Sequence, residues 1–275
     1  MKKILALVLA LTLVLGTFSF AAAAPEDVVG TDYEEAVVRL NALGILAGYP
    51  DGTFKPEQPV TRAEFAKIIV SALGVGEAAQ YAAGATKFAD VPADHWATGY
   101  INVAVDVGVI NGYPDGTFKP ENQVTFAEAI KMIVAALGYT PKAESLGGYP
   151  GGYLAIAAEK EITDGVSVVG SLSANRGDIA IMVDNSLEVN LMEQTAFGDR
   201  PVWEEVPKNL LISKLGYNEI KDRQVIEISK VNSKLKDNEF KLSGLSKTFE
   251  LQIDVNTESI FLKEVKIFEK DDKVV

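Results

Sequence analysis

The chain has 275 residues, 48% of them hydrophobic and 23% charged, a balance that suits folded protein of about two domains and excludes a disordered tail. A formal net charge of −12 sets an acidic surface against nucleic-acid backbones and anionic membranes as primary partners. With no cysteine and one histidine, His95, the chain has no means to build a disulfide, a thiolate nucleophile, a lipidated cysteine or a histidine-based zinc site.

Residues 1–23 read as an export signal: Lys2 and Lys3, an apolar run over 4–15, then Gly16, Thr17 and Ser19 before a string of alanines. An A-x-A pattern fits cleavage after Ala23, whereas cleavage after Ala24 would set Pro25 beside the scissile bond. The competing reading is an uncleaved anchor, since residues 4–24 could just cross a hydrocarbon layer of about 30 Å. The small-residue run favours cleavage, so the expectation is an exported mature chain with no membrane insertion of its own.

The nonapeptide "GYPDGTFKP" occurs at 48–56 and again, unchanged, at 112–120. At this offset of 64 residues most of 39–75 matches 103–139, the mark of a repeated supersecondary unit. Before each turn, Val37, Leu40, Leu43 and Ile45, and then Ile101, Ala104, Val107 and Val109, recur at near-helical spacing. Each of these helices is expected to end at a glycine, Gly44 or Gly108. Tyr-Pro-Asp-Gly predicts a β-turn, Phe54 and Phe118 follow as apolar plugs, and Pro56 and Pro120 predict extended chain. Next come "TRAE" at 61–64 and "TFAE" at 125–128, two capping boxes in which Thr61 and Thr125 cap while Glu64 and Glu128 reach back. A second helix therefore starts at each threonine and stops at Gly74 or Gly138, giving helix, loop, helix per unit.

A third, eroded copy follows at an offset of 53, placing Tyr149 on Trp96, Tyr153 on Tyr100 and Gly165 on Gly112. Asn175 takes the cap position and Asp178 the place of the glutamate, while "VSVVGSLSA" replaces the repeated turn. From about Asn190 the repeat stops. The stretch "LMEQTAFGDRPVWEEV" reads as a linker, and period-two alternation in "QVIEISKV", "KTFELQIDV" and "IFLKEVKIFE" predicts strands, with Phe249, Leu251, Ile253 and Val255 on one face. Residues 190–275 carry 14 basic and 16 acidic side chains, so nearly all the net negative charge lies in the repeats.

An export signal followed by "FADVPADHWATGYI", "GYPDGTFKP" and "TRAE" in order resembles the S-layer homology (SLH) domain of bacterial surface proteins, over about residues 28–190. The resemblance implies a mainly α fold: three helix-loop-helix SLH modules in a pseudo-threefold assembly with a central helical bundle. The expected organisation is a signal at 1–23, repeats at 28–80, 86–140 and 145–190, and a linker with a small β-rich domain at 191–275. It implies a non-catalytic protein of the cell wall or surface layer, whose grooves between modules bind secondary cell-wall polysaccharide carrying pyruvylated sugars. Self-association in a surface layer is a further implied partner, and neither a metal nor a cofactor is expected. Two other classes remain open: an exported enzyme, or an adhesin, that carries such modules for anchoring.

Within that frame Arg62 and Arg176, each at a helix start, are candidates for a sugar carboxylate, offering a planar fork beside free backbone amides. Their truncation is expected to leave helix stability nearly unchanged. Trp96 and Tyr149 offer flat faces to a sugar ring, with core packing an equal alternative for Trp96. The turn residues Gly48, Asp51, Gly112 and Asp115 complete the candidate set, although turn aspartates commonly bond their own backbone. Phe126 stands where the second module would need its arginine, and Asp32 stands in the Trp96 position with Tyr33 as a neighbouring substitute. Fewer than three competent grooves are therefore expected.

Overall fold

In a computed structural model the described residues are 24–198 and 201–275, so the expected signal at 1–23 lies outside them. Three helix pairs come first: α1 (Glu34–Ala42) with α2 (Arg62–Ala72), α3 (Thr98–Asp106) with α4 (Phe126–Ala136), and, after the short α5 (Thr140–Ser145), α6 (Gly151–Glu159) with α7 (Arg176–Ser186). Gly44 and Gly108 close the first helices at φ 69° and 78°, which glycine adopts without a Cβ clash. Val107, at the cap of α3, turns out to solvent, one apolar position that the helical spacing had placed inside.

The second helices α2, α4 and α7 hold the core. Phe65, Ile69, Ile130, Ile133, Ile179 and Met182 are all buried within one cluster shared by the three pairs. Both capping boxes form: Thr61 accepts the Glu64 amide and Glu64 returns to the Thr61 amide at 2.8 Å, and Thr125 and Glu128 do the same. In α7 only half of the device survives. Asn175 accepts the Asp178 amide at 2.7 Å, but Asp178, one methylene shorter than glutamate, does not close the box.

The three pairs are joined around their helix starts by a cycle of backbone bonds. Val60 donates to Ala174 at 3.1 Å, Ala174 to Val124 at 2.9 Å, and Val124 back to Val60 at 2.8 Å. Each central helix also spends its first two amides on a neighbouring loop: Arg62 and Ala63 on Asn122 and Pro120, Phe126 and Ala127 on Leu172 and Gly170, Arg176 and Gly177 on Gln58 and Pro56. Helix-start donors that would otherwise need water are thereby satisfied between units. The arrangement is threefold in its bonding even though the third sequence copy is eroded.

The stretch predicted as a linker is instead a β-hairpin, β1 (Leu191–Ala196) against β2 (Val202–Val206), followed by a turn of helix, α8 (Leu210–Ser213). Its first residues are apolar and docked: Leu191 and Met192 are buried, and the Met192 amide donates to the Leu137 carbonyl at 2.9 Å. Gly74 and Gly138 do more than stop helices. A Cβ on Gly74 would lie 2.2 Å from the Lys214 carbonyl oxygen, and one on Gly138 would lie 2.1 Å from that of Met192.

The remainder is a closed barrel of five strands: β3 (Asn218–Ile228), β4 (Glu239–Leu242), β5 (Phe249–Leu251), β6 (Glu264–Lys270) and β7 (Lys273–Val274), ordered β3-β4-β5-β7-β6. A one-turn helix, α9 (Thr257–Ile260), links β5 to β6, and β5 pairs with β7 in parallel. The fold is thus helical first and β-rich second, as expected. Phe249 and Leu251 face the barrel core, but the strand stops there, leaving Ile253 and Val255 half-buried beyond it.

Candidate functional site: two arginine clefts

The repeated nonapeptide is built to receive an arginine. In both copies the turn closes as predicted, Gly52 donating to Tyr49 and Gly116 to Tyr113 at 3.0 Å. Asp51 and Asp115 each accept the amide and hydroxyl of the threonine two residues on, Thr53 or Thr117, and pair with Lys55 or Lys119. Their charge is spent inside the turn, and those threonine bonds hold Asp51 down to about 2. Beyond the turn the chain is not extended, as the prolines had suggested. Lys55 and Lys119 sit at φ 59° and 58°, where lysine rarely goes.

What holds that conformation is an aspartate absent from the sequence-based candidates. The Asp27 carboxylate accepts the amides of Phe54 at 2.8 Å and Lys55 at 2.7 Å, and Asp90 does the same for Phe118 and Lys119. Burial raises the Asp27 pKa, but the two amides outweigh it and hold the group below its ordinary value. The available signal was an Asp-Val pair ahead of both copies, in "PEDVV" and "FADVP".

Arg62 crosses from the first unit to the turn of the second. Only 6% exposed, it donates its Nε–H to the Phe118 carbonyl at 2.8 Å, lies 4.5 Å from the Tyr113 ring centre, and meets Glu128 at 3.1 Å. Tyr113 donates its hydroxyl to the same Glu128 oxygen, and burial together with that bond pushes the phenol up to about 12. Arg176 repeats the arrangement from the third unit to the turn of the first: 5% exposed, Nε to the Phe54 carbonyl at 2.9 Å, 4.8 Å from the Tyr49 ring. Its Nη2 reaches the Ala47 carbonyl at 3.1 Å, and among the described residues it makes no ion pair. The Tyr49 hydroxyl beside it is buried without a partner.

The cleft beside Arg62 has a volume of about 350 Å³, with walls from Gly112 and Tyr113, from Glu128, Lys131 and Met132 on α4, and from Tyr149. Tyr149 is 48% exposed, and Lys131 lies 5.2 Å from its ring and 5.7 Å from that of Tyr153. Trp96, which holds the same place one unit earlier, is 54% exposed, so of its two readings core packing is set aside. It stands 6.4 Å from Tyr100, over which Lys67 is placed as Lys131 is over Tyr153. Gly48 holds the place of Gly112 in the first turn, where a Cβ would come within 2.8 Å of the Thr53 carbonyl oxygen. The lysines and the tyrosine rings under the arginines were missed in the sequence, because each reads there as an ordinary helix or turn residue.

One expectation fails outright. The amides at the helix starts are not free beside the arginines, since the neighbouring loops already take them. An anion in these clefts would be met by side-chain cations. The third junction differs in kind: Phe126 is buried in place of the arginine, and the cavity in which Gly165 takes the place of Gly112 is walled by Asp32, Tyr33, Ser167 and Asp178, with no basic side chain. Among the described residues no cluster of acidic, histidine or cysteine side chains could hold a metal ion, and no helix is long and apolar enough to cross a membrane.

Helix pairs closed in a ring, with a buried arginine set into the neighbouring turn at two of the three junctions, define a modular protein of repeated units. Residues 26–66 and 87–130 match the family model of the S-layer homology domain, and the chain belongs to that family. The third unit lies outside those matches. The chain is 35% identical over 99% of its length to the middle cell wall protein of Brevibacillus brevis, and 39% identical over 72% to a surface layer protein of Brevibacillus choshinensis. It is 35% identical over 70% to a cell surface protein of Thermoanaerobacter kivui. It spans 28%, 18% and 25% of the lengths of those three relatives.

Proposed function

We propose that the protein is a non-catalytic component of the cell wall or surface layer, exported and held non-covalently by binding secondary cell-wall polysaccharide that carries pyruvylated sugars. The third helical unit acts as an SLH module with the other two. The observation that carries this reading is a buried arginine lying on a tyrosine ring at two junctions, with a cleft beside Arg62 that is also walled by Lys131 and the exposed face of Tyr149. A pyruvate ketal presents one carboxylate on a sugar ring, and this combination offers a cation for the first and a flat apolar surface for the second. The names of the relatives, all proteins of the wall or surface, support the same location.

The test is co-sedimentation of the purified chain with wall sacculi before and after extraction of the polysaccharide. Binding to intact sacculi that disappears on extraction is the expected result. Binding that survives extraction would defeat the reading.

A further inference from the structure

Both arginine clefts depend on a peptide group that lies behind them. The Phe54–Lys55 peptide gives its carbonyl to Arg176 Nε at 2.9 Å and its amide to Asp27 at 2.7 Å, so one carboxylate fixes the plane that fixes the arginine. The Phe118–Lys119 peptide stands in the same way between Arg62 at 2.8 Å and Asp90 at 2.7 Å. The aspartate also holds the lysine at its left-handed φ, without which the carbonyl would point elsewhere.

The third unit shows what this set of parts is for. There the turn is "VSVVGSLSA", the facing residue is Phe126, and among the described residues no carboxylate accepts the amides of residues 166–172. The segment that would bring the aspartate is missing. α5 packs against Gly152 through Ala143 as the 3-10 helix Gly76–Gln80 packs against Gly99 through Ala79, so the stretch equivalent to "TKFADVP" has dropped out between them. Yet the junction itself is intact, with Phe126 and Ala127 bonded to Leu172 and Gly170 at 2.9 and 3.0 Å, like their counterparts. Aspartate, turn and arginine are absent together while the fold remains, so the set is not what builds the fold.

We propose that Asp27 and Asp90 are positioning residues of the two ligand clefts, each presenting an arginine through one peptide group, and that the third cleft is a copy that does not take the anionic ligand. This rests on the polysaccharide reading above. The test is calorimetric titration of the full chain with wall polysaccharide bearing terminal pyruvate ketals, read one cleft at a time. In an Arg62→Ala background only the Arg176 cleft reports, and Asp27→Ala is expected to weaken binding there by about tenfold or more, the loss of a charge-assisted hydrogen bond. In an Arg176→Ala background Asp27→Ala should change nothing, and Asp90→Ala should show the reverse dependence. Phe126→Arg should add no site.

Equal losses in both backgrounds would show a merely structural aspartate and overturn the proposal, as would no loss where the Arg176 cleft reports alone. Should Asp27→Ala fail to fold, Asp27→Asn, which keeps one acceptor oxygen, carries the same comparison. A parent chain that does not bind the polymer at all would overturn the polysaccharide reading first, an outcome distinct from normal parent binding with indifferent aspartates.

Discussion

Arg176 donates its Nε–H to the carbonyl oxygen of Phe54, 122 residues earlier in the chain, at 2.9 Å. The bond joins the third helical unit to the turn of the first, so a residue that reads locally as a helix start is structurally part of another unit's loop. Truncating either arginine removes a cation from a cleft and also leaves a buried carbonyl without its donor. Arg62→Ala and Arg176→Ala should each weaken binding of a pyruvylated polymer fragment by about 1.5–3 kcal/mol. Phe126→Ala should do less, because no charge is served there. Calorimetry with the fragment before and after pyruvate removal reads the contrast, and equal affinity for the two would refute a carboxylate-arginine contact. Melting temperatures should fall in both arginine variants, contrary to the sequence-based expectation, because both guanidinium groups are buried.

The shared core makes a second prediction. Ile69 is 1% exposed within the cluster common to the three helix pairs, and Ile69→Asp would set a charge there with no partner. The expected cost is about 4 kcal/mol or more. Urea unfolding should show a large loss, accompanied by loss of sacculus binding. An unchanged midpoint would mean that the helix pairs do not share one core.

Gly138 separates backbone freedom from close approach. Gly44 and Gly138 both have positive φ, 69° and 86°, but a Cβ on Gly44 meets nothing while one on Gly138 would lie 2.1 Å from the Met192 carbonyl oxygen. Gly44→Ala should cost about 1–2 kcal/mol of backbone strain. Gly138→Ala should cost more and should free the segment around 190–208, read by hydrogen exchange. Matching protection in the two variants would refute tight docking of the hairpin on α4.

Asp184 predicts a pH dependence. Burial raises its carboxyl to about 6, opposed by Arg39 at 3.7 Å and reinforced by Glu35 and Glu188. An acid whose folded pKa lies above its unfolded value of about 3.9 takes up a proton on folding, so stability declines as pH rises from about 4 to about 6. Above that range the buried charge costs its full amount. Asp184→Asn should flatten this slope and raise stability at pH 7 by up to roughly 2–3 kcal/mol. Urea midpoints measured at several pH values check it, and a parent slope retained in the variant would assign the dependence to another group.

Much of the helical region was legible because local signals and tertiary roles coincide there. Thr61 and Glu64 cap in the sequence and in the structure, and the apolar stripes of α2, α4 and α7 lie where their spacing put them. What escaped were residues whose work is done across the chain. Asp27 serves Phe54, Arg62 serves the turn of the second unit, and neither relation has a periodicity to betray it. The hairpin after Asn190 escaped for a different reason: β2 is exposed nearly throughout, so it lacks the alternation by which a half-buried strand is recognised.

The cycle of bonds through Val60, Ala174 and Val124 sets the arithmetic of the molecule. Repeats stacked in an open row can lengthen or shorten by one at small cost, because each new member inherits a free end. Here every member gives one bond forward and takes one from behind, and the sequence of gifts returns to its start, so a fourth has nowhere to enter and the loss of one strands the other two. A worn copy can therefore lack its turn, its aspartate and an arginine facing it from the unit before, and still be indispensable, a keystone kept for the closure it provides.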